Sequence, residues 1–316
     1  MSRAAPLRIG TRASALARWQ TQFVMDALRE RDPGFECDVV PISTEGDELP
    51  EALLADFEGT GFFTSALERA LLAGEIDVAV HSYKDLPVSV HPALVIAAVP
   101  ARGPIEDVLC SLHHAQLAAL PAGARVGTSS ARRTAQLRAR RPDLALVPLR
   151  GNVPTRVGRV REGDLDGIVL ARAGLTRLGL GSSITEIFGA DEVLPAPAQG
   201  ALAIQARAGE EALLARLAAL DHGWTRAAVE AERGLLHALG GGCSVPVGAH
   251  AVASEEGVRL SAGVFALDGR RAIRAADFGR APEAVAATAA RELIAQGALE
   301  ILGVENRTLR PAPEVA

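Results

Sequence analysis

Residues 194–207 read LPAPAQGALAIQAR: two prolines and a glycine, followed at once by an apolar run. The prolines mark a linker, and the run after them reads as a strand. A second proline-bearing stretch, PARGPIED, occupies residues 100–107. Between the two, strand and helix signals alternate: ARVGTSS, the helix ARRTAQLRARR stopped by Pro142-Asp143, the strand LALVPLRG, the helix VPTRVGRVREG, the strand DGIVLAR and the helix AGLTRLGL. Paired linkers mean that the chain leaves a first domain near residue 100 and re-enters it near residue 200, with residues 201–207 returning to that domain's sheet.

Working outward, residues 7–11 (LRIGT) predict a strand, and a helix follows with Leu16, Trp19, Phe23, Ala27 and Leu28 at helical spacing, stopped by Asp32-Pro33-Gly34. FECDVVPI is the next strand, a helix starts at a Ser65-x-x-Glu68 capping box, and Asp77 to His81 is a strand after it. This alternation predicts parallel pairing with right-handed crossovers. Beyond residue 222 the character changes. An amphipathic helix ends at Gly240, strands flank the hairpin signal Asp268-Gly269, and a last helix covers about 282–296. The expectation is an α/β chain of three domains: 1–100 with 200–220, 105–195, and a small α+β domain over 222–316.

The formal charge of −5 and an aromatic content of 3% argue against nucleic-acid binding. The basic residues are nevertheless concentrated. Between Arg125 and Arg177 there are twelve arginines and four acids, a local balance of +8 that suits a ligand carrying several carboxylates. Of 33 basic residues only Lys84 is a lysine, and a compact ammonium differs chemically from a guanidinium. No run reaches signal-peptide or membrane-span length, so a cytoplasmic protein without membrane or nucleic-acid partners is expected. Cys37, Cys110 and Cys243 are widely spaced without CxxC, which suggests neither a disulfide framework nor a metal site. Cys37 and Cys110 sit in strand-like runs and read as small buried hydrophobes.

Ligands in open α/β sheets bind beyond the carboxyl ends of strands. Four polar clusters fall there: Thr11 to Ser14, His81 to Asp85, Gly127 to Arg133, and Leu149 to Asn152. Most run into helix N-termini, where free N–H groups and arginines favour carboxylates. Asp85 is the natural catalytic carboxylate, with a turn aspartate as its plainer alternative. In HALGGGCSVPVGAH, residues 237–250, three glycines give the Cys243 thiol the room that a covalent attachment needs, or else simply stop a helix.

Taken in order, TRASALA, EGTGFF, HSYKDLPV, GTSSARRTAQL, LRGNVPTR, LARAGLTRLG, LPAPAQGALAIQ and GGGCSVPVGA resemble the porphobilinogen deaminase (hydroxymethylbilane synthase) family, colinearly over essentially the whole chain. The resemblance implies two domains like type II periplasmic binding proteins plus a small α+β domain, and a transferase of tetrapyrrole and heme biosynthesis. It would join four porphobilinogens head to tail with loss of ammonia and release hydroxymethylbilane by hydrolysis. It further implies a dipyrromethane cofactor in thioether linkage to Cys243, in a cytoplasmic monomer whose partner is the small-molecule substrate.

By motif match Asp85 is the carboxylate that stabilises a cationic azafulvene and the pyrrole N–H groups, with Lys84 beside it in the catalytic position. Ser14, Ser82, Lys84, Asp85, Thr128, Ser130, Arg132, Arg133 and Arg156 would surround the cofactor. Arg12, Ser14, Phe63, Arg150, Asn152, Arg156 and Arg177 would meet the substrate. The chain departs from many relatives at Thr60, which stands between Gly59 and Gly61 where they have a lysine. Two rivals use the same residues differently. A non-catalytic anion-binding protein of the periplasmic-binding-protein type would need only the arginines, and a cysteine hydrolase would need Cys243 within reach of a histidine such as His81.

Overall fold

In the computed structural model the described residues are 6–43, 65–242 and 245–303. The chain divides into two compact units, Met1–Arg102 with Ala201–Arg226, and Gly103–Gly200 with Ala227–Ala316. The first begins β1 (Leu7–Thr11), α1 (Ala15–Arg31), β2 (Cys37–Pro41), α2 (Ser65–Leu72), β3 (Val78–Ser82) and β4 (Leu94–Ala98). The second continues with β5 (Asp107–Ser111), β6 (Arg125–Gly127), α3 (Ala131–Arg140), β7 (Ala145–Val147), α4 (Val153–Arg161), β8 (Gly167–Ala171), α5 (Arg172–Arg177) and β9 (Glu186–Ile187). Then come β10 (Leu202–Arg207), α6 (Glu211–Ala218) and α7 (Gly223–Ala238). β11 (Val247–Ser254), β12 (Gly257–Phe265), β13 (Ala272–Gly279), α8 (Pro282–Ala295) and α9 (Ala298–Ile301) complete the described chain.

Two five-stranded sheets share one plan, β2-β1-β3-β10-β4 and β7-β6-β8-β5-β9, and a third sheet is β11-β12-β13. Strands joined through a helix pair in parallel, β1 with β2 and β3, and β6 with β7 and β8. That is the pairing the strand-helix-strand alternation predicted; outside it, β10 runs antiparallel to β3 and β4, and β5 antiparallel to β8 and β9. Both exceptions enter directly from a linker. No crossover helix precedes them, so the handedness rule that enforces parallel pairing does not act on them.

The first core gathers Ile9, Val24, Leu28, Val78, Val80 and Ile204, from α1 and the strands it covers. On α1 the buried stripe is Gln20, Thr21, Val24, Met25 and Leu28, displaced from the one that the spacing of Trp19 and Phe23 suggested. Those two rings instead stack on each other, centroids 5.5 Å apart, each 38% exposed. The face turned inward contains two polar side chains, and one of them, Gln20, meets Ser82 at the end of β3. Cys110 is buried as expected, whereas Cys37, on the outermost strand, is only half-buried.

The linkers touch. Gly103 N–H donates to the Gly200 carbonyl at 3.1 Å, and Gly200 has φ +86°. A Cβ there would stand 2.6 Å from both the Gly103 and Pro104 carbonyl oxygens. Left-handed strain plus a clash with backbone predicts that Gly200→Ala costs about 3 kcal/mol. Urea unfolding measures it, and a midpoint equal to wild type would mean that the linkers do not meet this closely.

The third sheet is antiparallel, with α8 packed on it through Val285, Ala286, Ala289, Ala290 and Leu293. Within the second unit it meets the exit linker where Ala249 N–H donates to the Pro195 carbonyl at 2.9 Å. Gly240, at φ +66°, ends α7 as the sequence predicted.

Candidate functional site

In the first unit the adjacent parallel strands β1 and β3 deliver their next residues to one edge of the sheet. Arg12 and Ser14 follow β1. Ser14 caps α1, its Oγ accepting from Ala17 N–H at 3.2 Å. Ser82 ends β3, and the 3-10 turn Tyr83–Asp85 comes next. Gln20 reaches up from the buried face of α1 and donates to Ser82 Oγ at 2.8 Å, which binds the capped helix to the end of β3. Tyr83 and Leu86 are buried on either side of the turn, while Lys84 is half-buried and Asp85 exposed. The turn therefore holds an ammonium and a carboxylate at the surface between two apolar anchors.

His81, one residue before Ser82, is 4% exposed. Its Nε2–H donates to Gln205 Oε1 at 3.0 Å, and Gln205 Nε2 donates in turn to Glu68 at 2.9 Å. The Glu68 expected in a capping box thus serves a chain of hydrogen bonds from β3 through β10 to α2. Burial pushes the imidazole down to about 4. An unfolded chain takes up a proton below about 6.5 while the folded one stays neutral, so stability falls as pH drops through that window. Between pH 7 and 5, wild type is expected to lose about 2 kcal/mol that His81→Asn does not lose. Equal losses in urea unfolding would refute it. A buried neutral histidine bonded to Gln205 is also a poor base for a cysteine nucleophile.

In the second unit the same edge is built from β6, β7 and β8. Thr128, 5% exposed, accepts from Ser130 N–H at 3.3 Å, and Ser130 caps α3 by accepting from Arg133 N–H at 3.4 Å. Asn152 caps α4, its Oδ1 accepting from Thr155 N–H at 3.0 Å, and Arg156 Nε donates to the Gly151 carbonyl at 2.6 Å. Ser129 Oγ both donates to the Leu149 carbonyl and accepts from its N–H, each at 2.8 Å, which fastens the loops after β6 and β7 together. Arg150 is exposed beside it. Arg177, at the end of α5, donates Nη2 to the Gly200 carbonyl at 2.7 Å, and burial pushes its guanidinium down to about 10. Two helix N-termini and three arginines thus share one sheet edge, a donor set matched to carboxylates.

Arg132 and Arg133 differ from the others in being buried, at 3% and 7% exposure, and both are paired with Asp107. Sequence reasoning missed Asp107, as it missed Gln20 and Gln199. The available signal was charge balance, because buried arginines demand a carboxylate, and Glu106-Asp107 opens the arginine-rich unit at the start of β5. Cys243, Phe63 and Thr60 lie outside the described residues.

Residues 7–215 match the family model described as "Porphobilinogen deaminase, dipyromethane cofactor binding domain", and residues 226–295 match "Porphobilinogen deaminase, C-terminal domain". The chain belongs to the porphobilinogen deaminase family. It is 49% identical over 298 residues to the porphobilinogen deaminase of Xanthomonas euvesicatoria pv. vesicatoria (strain 85-10), covering 94% of this chain and 98% of that one. It is 47% identical to those of Stenotrophomonas maltophilia (strain K279a), covering 94% and 99%, and Moorella thermoacetica (strain ATCC 39073 / JCM 9320), covering 94% and 95%.

As a porphobilinogen deaminase domain, residues 7–215 are a dipyrromethane site, and the donor set fits that group. Pyrrole units bearing acetate and propionate call for hydroxyl, amide and guanidinium donors, which the strand ends supply. Arg132 Nε is buried without a hydrogen-bond partner among the described residues, a demand that an acidic ligand would meet.

Proposed function

We propose that this chain joins four porphobilinogen molecules head to tail with loss of ammonia, as a transferase, and releases hydroxymethylbilane by hydrolysis. The observation that carries the reading is the match of residues 7–215 to a dipyrromethane-binding domain, on a sheet edge whose side chains suit a polycarboxylate. When bound, in thioether linkage to Cys243, the dipyrromethane supplies the primer to which each new pyrrole is joined.

The residues divide the labour by charge. As the aminomethyl C–N bond of the substrate breaks and ammonia leaves, positive charge develops on its ring. Asp85 stabilises that charge and accepts hydrogen bonds from pyrrole N–H groups, while Lys84 beside it holds the turn's charge balance. A carbon–carbon bond then forms, and the ring proton lost from the attacking pyrrole leaves by way of the carboxylate or solvent. Ser14, Ser82, Thr128, Ser130, Arg132, Arg133 and Arg156 bind the primer's carboxylates. Arg12, Arg150, Asn152 and Arg177, with Phe63, receive the incoming unit. Placing many arginines along the strand ends lets acidic side chains accumulate without mutual repulsion.

We assign the chain to the cytoplasm as a monomer; among the described residues no helix is long and apolar enough to cross a membrane. The deciding experiment is intact-protein mass spectrometry before and after incubation with porphobilinogen. The reading expects a resident adduct of two pyrrole units and further steps of one pyrrole each. An unmodified chain that turns over at full rate would overturn it.

A further inference from the structure

We propose that Asp107 is a positioning residue for carboxylate recognition, locking Arg132 and Arg133 into one fork and tying that fork through Gln199 to the segment by which the chain leaves the second sheet. The proposal rests on the reading above, in which these arginines serve the dipyrromethane.

Consecutive residues on a helix point about 100° apart, so neighbouring arginines on α3 would ordinarily diverge. Here they converge. Arg133 Nε and Nη2 both donate to Asp107 Oδ1, at 3.0 and 2.7 Å, and Arg132 Nη1 donates to Oδ2 at 2.6 Å. Gln199 Nε2 adds a further hydrogen bond to Oδ1 at 2.9 Å and another to the Ile105 carbonyl at 2.7 Å. Each guanidinium also has a backbone anchor, the Leu194 carbonyl for Arg132 at 2.6 Å and the Val169 carbonyl for Arg133 at 3.1 Å. Both linkers therefore join the same network: Gln199 donates to the carboxylate itself, the Ile105 carbonyl accepts from Gln199, and the Leu194 carbonyl accepts from Arg132.

Asp107 is wholly buried, and packing alone does not explain it. Apolar residues of similar volume commonly match or exceed a buried ion cluster in stability. The cluster is also unbalanced, with two guanidiniums on one carboxylate and the Arg132 Nε unpartnered among the described residues. A buried excess of one positive charge is costly until an anion meets it. It lies under the N-terminus of α3, whose own partial charge has the same sign, so both favour an acidic group at the Thr128–Ser130 end. Burial raises the Asp107 carboxyl, but the two guanidiniums outweigh it and hold the group well below the usual carboxylate range, so the carboxylate stays ionised at any working pH.

The test compares wild type and Asp107→Asn, each purified without its cofactor and given porphobilinogen, by intact mass for the fraction carrying the adduct and by thermal unfolding. Asp107→Asn keeps the shape and removes the charge. It is expected to load at least about tenfold less than wild type while unfolding cooperatively. An Asp107→Asn chain that loads like a loaded wild type would overturn the proposal alone. A wild type that takes up no adduct would overturn the functional reading and the proposal with it. Should Asp107→Asn fail to fold, the triple variant Asp107→Leu, Arg132→Met, Arg133→Leu replaces the whole fork by apolar side chains. A folded triple variant that stays unloaded supports the proposal, and one that loads normally sinks it.

Discussion

Asp85→Asn is expected to fold like wild type and to lose turnover by about a thousandfold. The two halves of that expectation have separate causes. Tyr83 and Leu86 are the buried anchors of the turn, at 7% and 1% exposure, and the Asp85 carboxylate projects from between them as an exposed group. Substitution at an exposed turn position changes stability within about 0.5 kcal/mol, and asparagine keeps the shape. Chemistry has no such reserve. A neutral amide cannot neutralise a developing cation or take up a proton, and each loss is worth two to four orders of magnitude. Steady-state rates at saturating porphobilinogen, with thermal unfolding in parallel, check both halves. Near-normal turnover would return Asp85 to the role of a turn residue, and collapse of the fold would show that the anchors depend on it.

Cys243→Ser is expected to abolish the adduct altogether and with it all measurable product. A serine hydroxyl is about as large as the thiol, but it is a far weaker nucleophile at neutral pH, so the carbon–sulfur bond that would tether the primer has no ready substitute. Stability is compared with wild type purified without its cofactor, because loss of a bound group lowers apparent stability by itself. An adduct that persists in Cys243→Ser would move the anchor to another residue, and Cys37, the half-buried thiol, is then the one to replace.

Local signals carried much of the architecture. The prolines and glycine of 194–200 announced the return of the chain, and β10 indeed lies between β3 and β4. The helix N-termini after the polar clusters at Thr11 to Ser14, Gly127 to Arg133 and Leu149 to Asn152 were legible because strand ends and helix starts are local signals. Ser14, Ser130 and Asn152 prove to cap them. What stayed hidden depends on distant partners. Asp107 meets Arg132 and Arg133 from 25 and 26 residues away and Gln199 from 92, and His81 finds Gln205 at a separation of 124. No periodicity reports such pairs. The inward face of α1 was misread for a related reason. Trp19 and Phe23 are the most apolar residues of their turns, but Gln20 is wanted inside by Ser82, and that requirement lives on another strand.

The position of β10 also bears on the order in which the molecule can be made. The second sheet draws all five strands from one unbroken stretch, residues 107–187, whereas the first needs a strand that starts at Leu202. During synthesis, β3 and β4 emerge more than a hundred residues before the strand that joins them. For that interval each presents an open hydrogen-bonding edge to whatever is near. The later-made sheet can close at once, while the N-terminal one waits, so a nascent chain stalled before Leu202 would hold a finished second sheet beside an unfinished first.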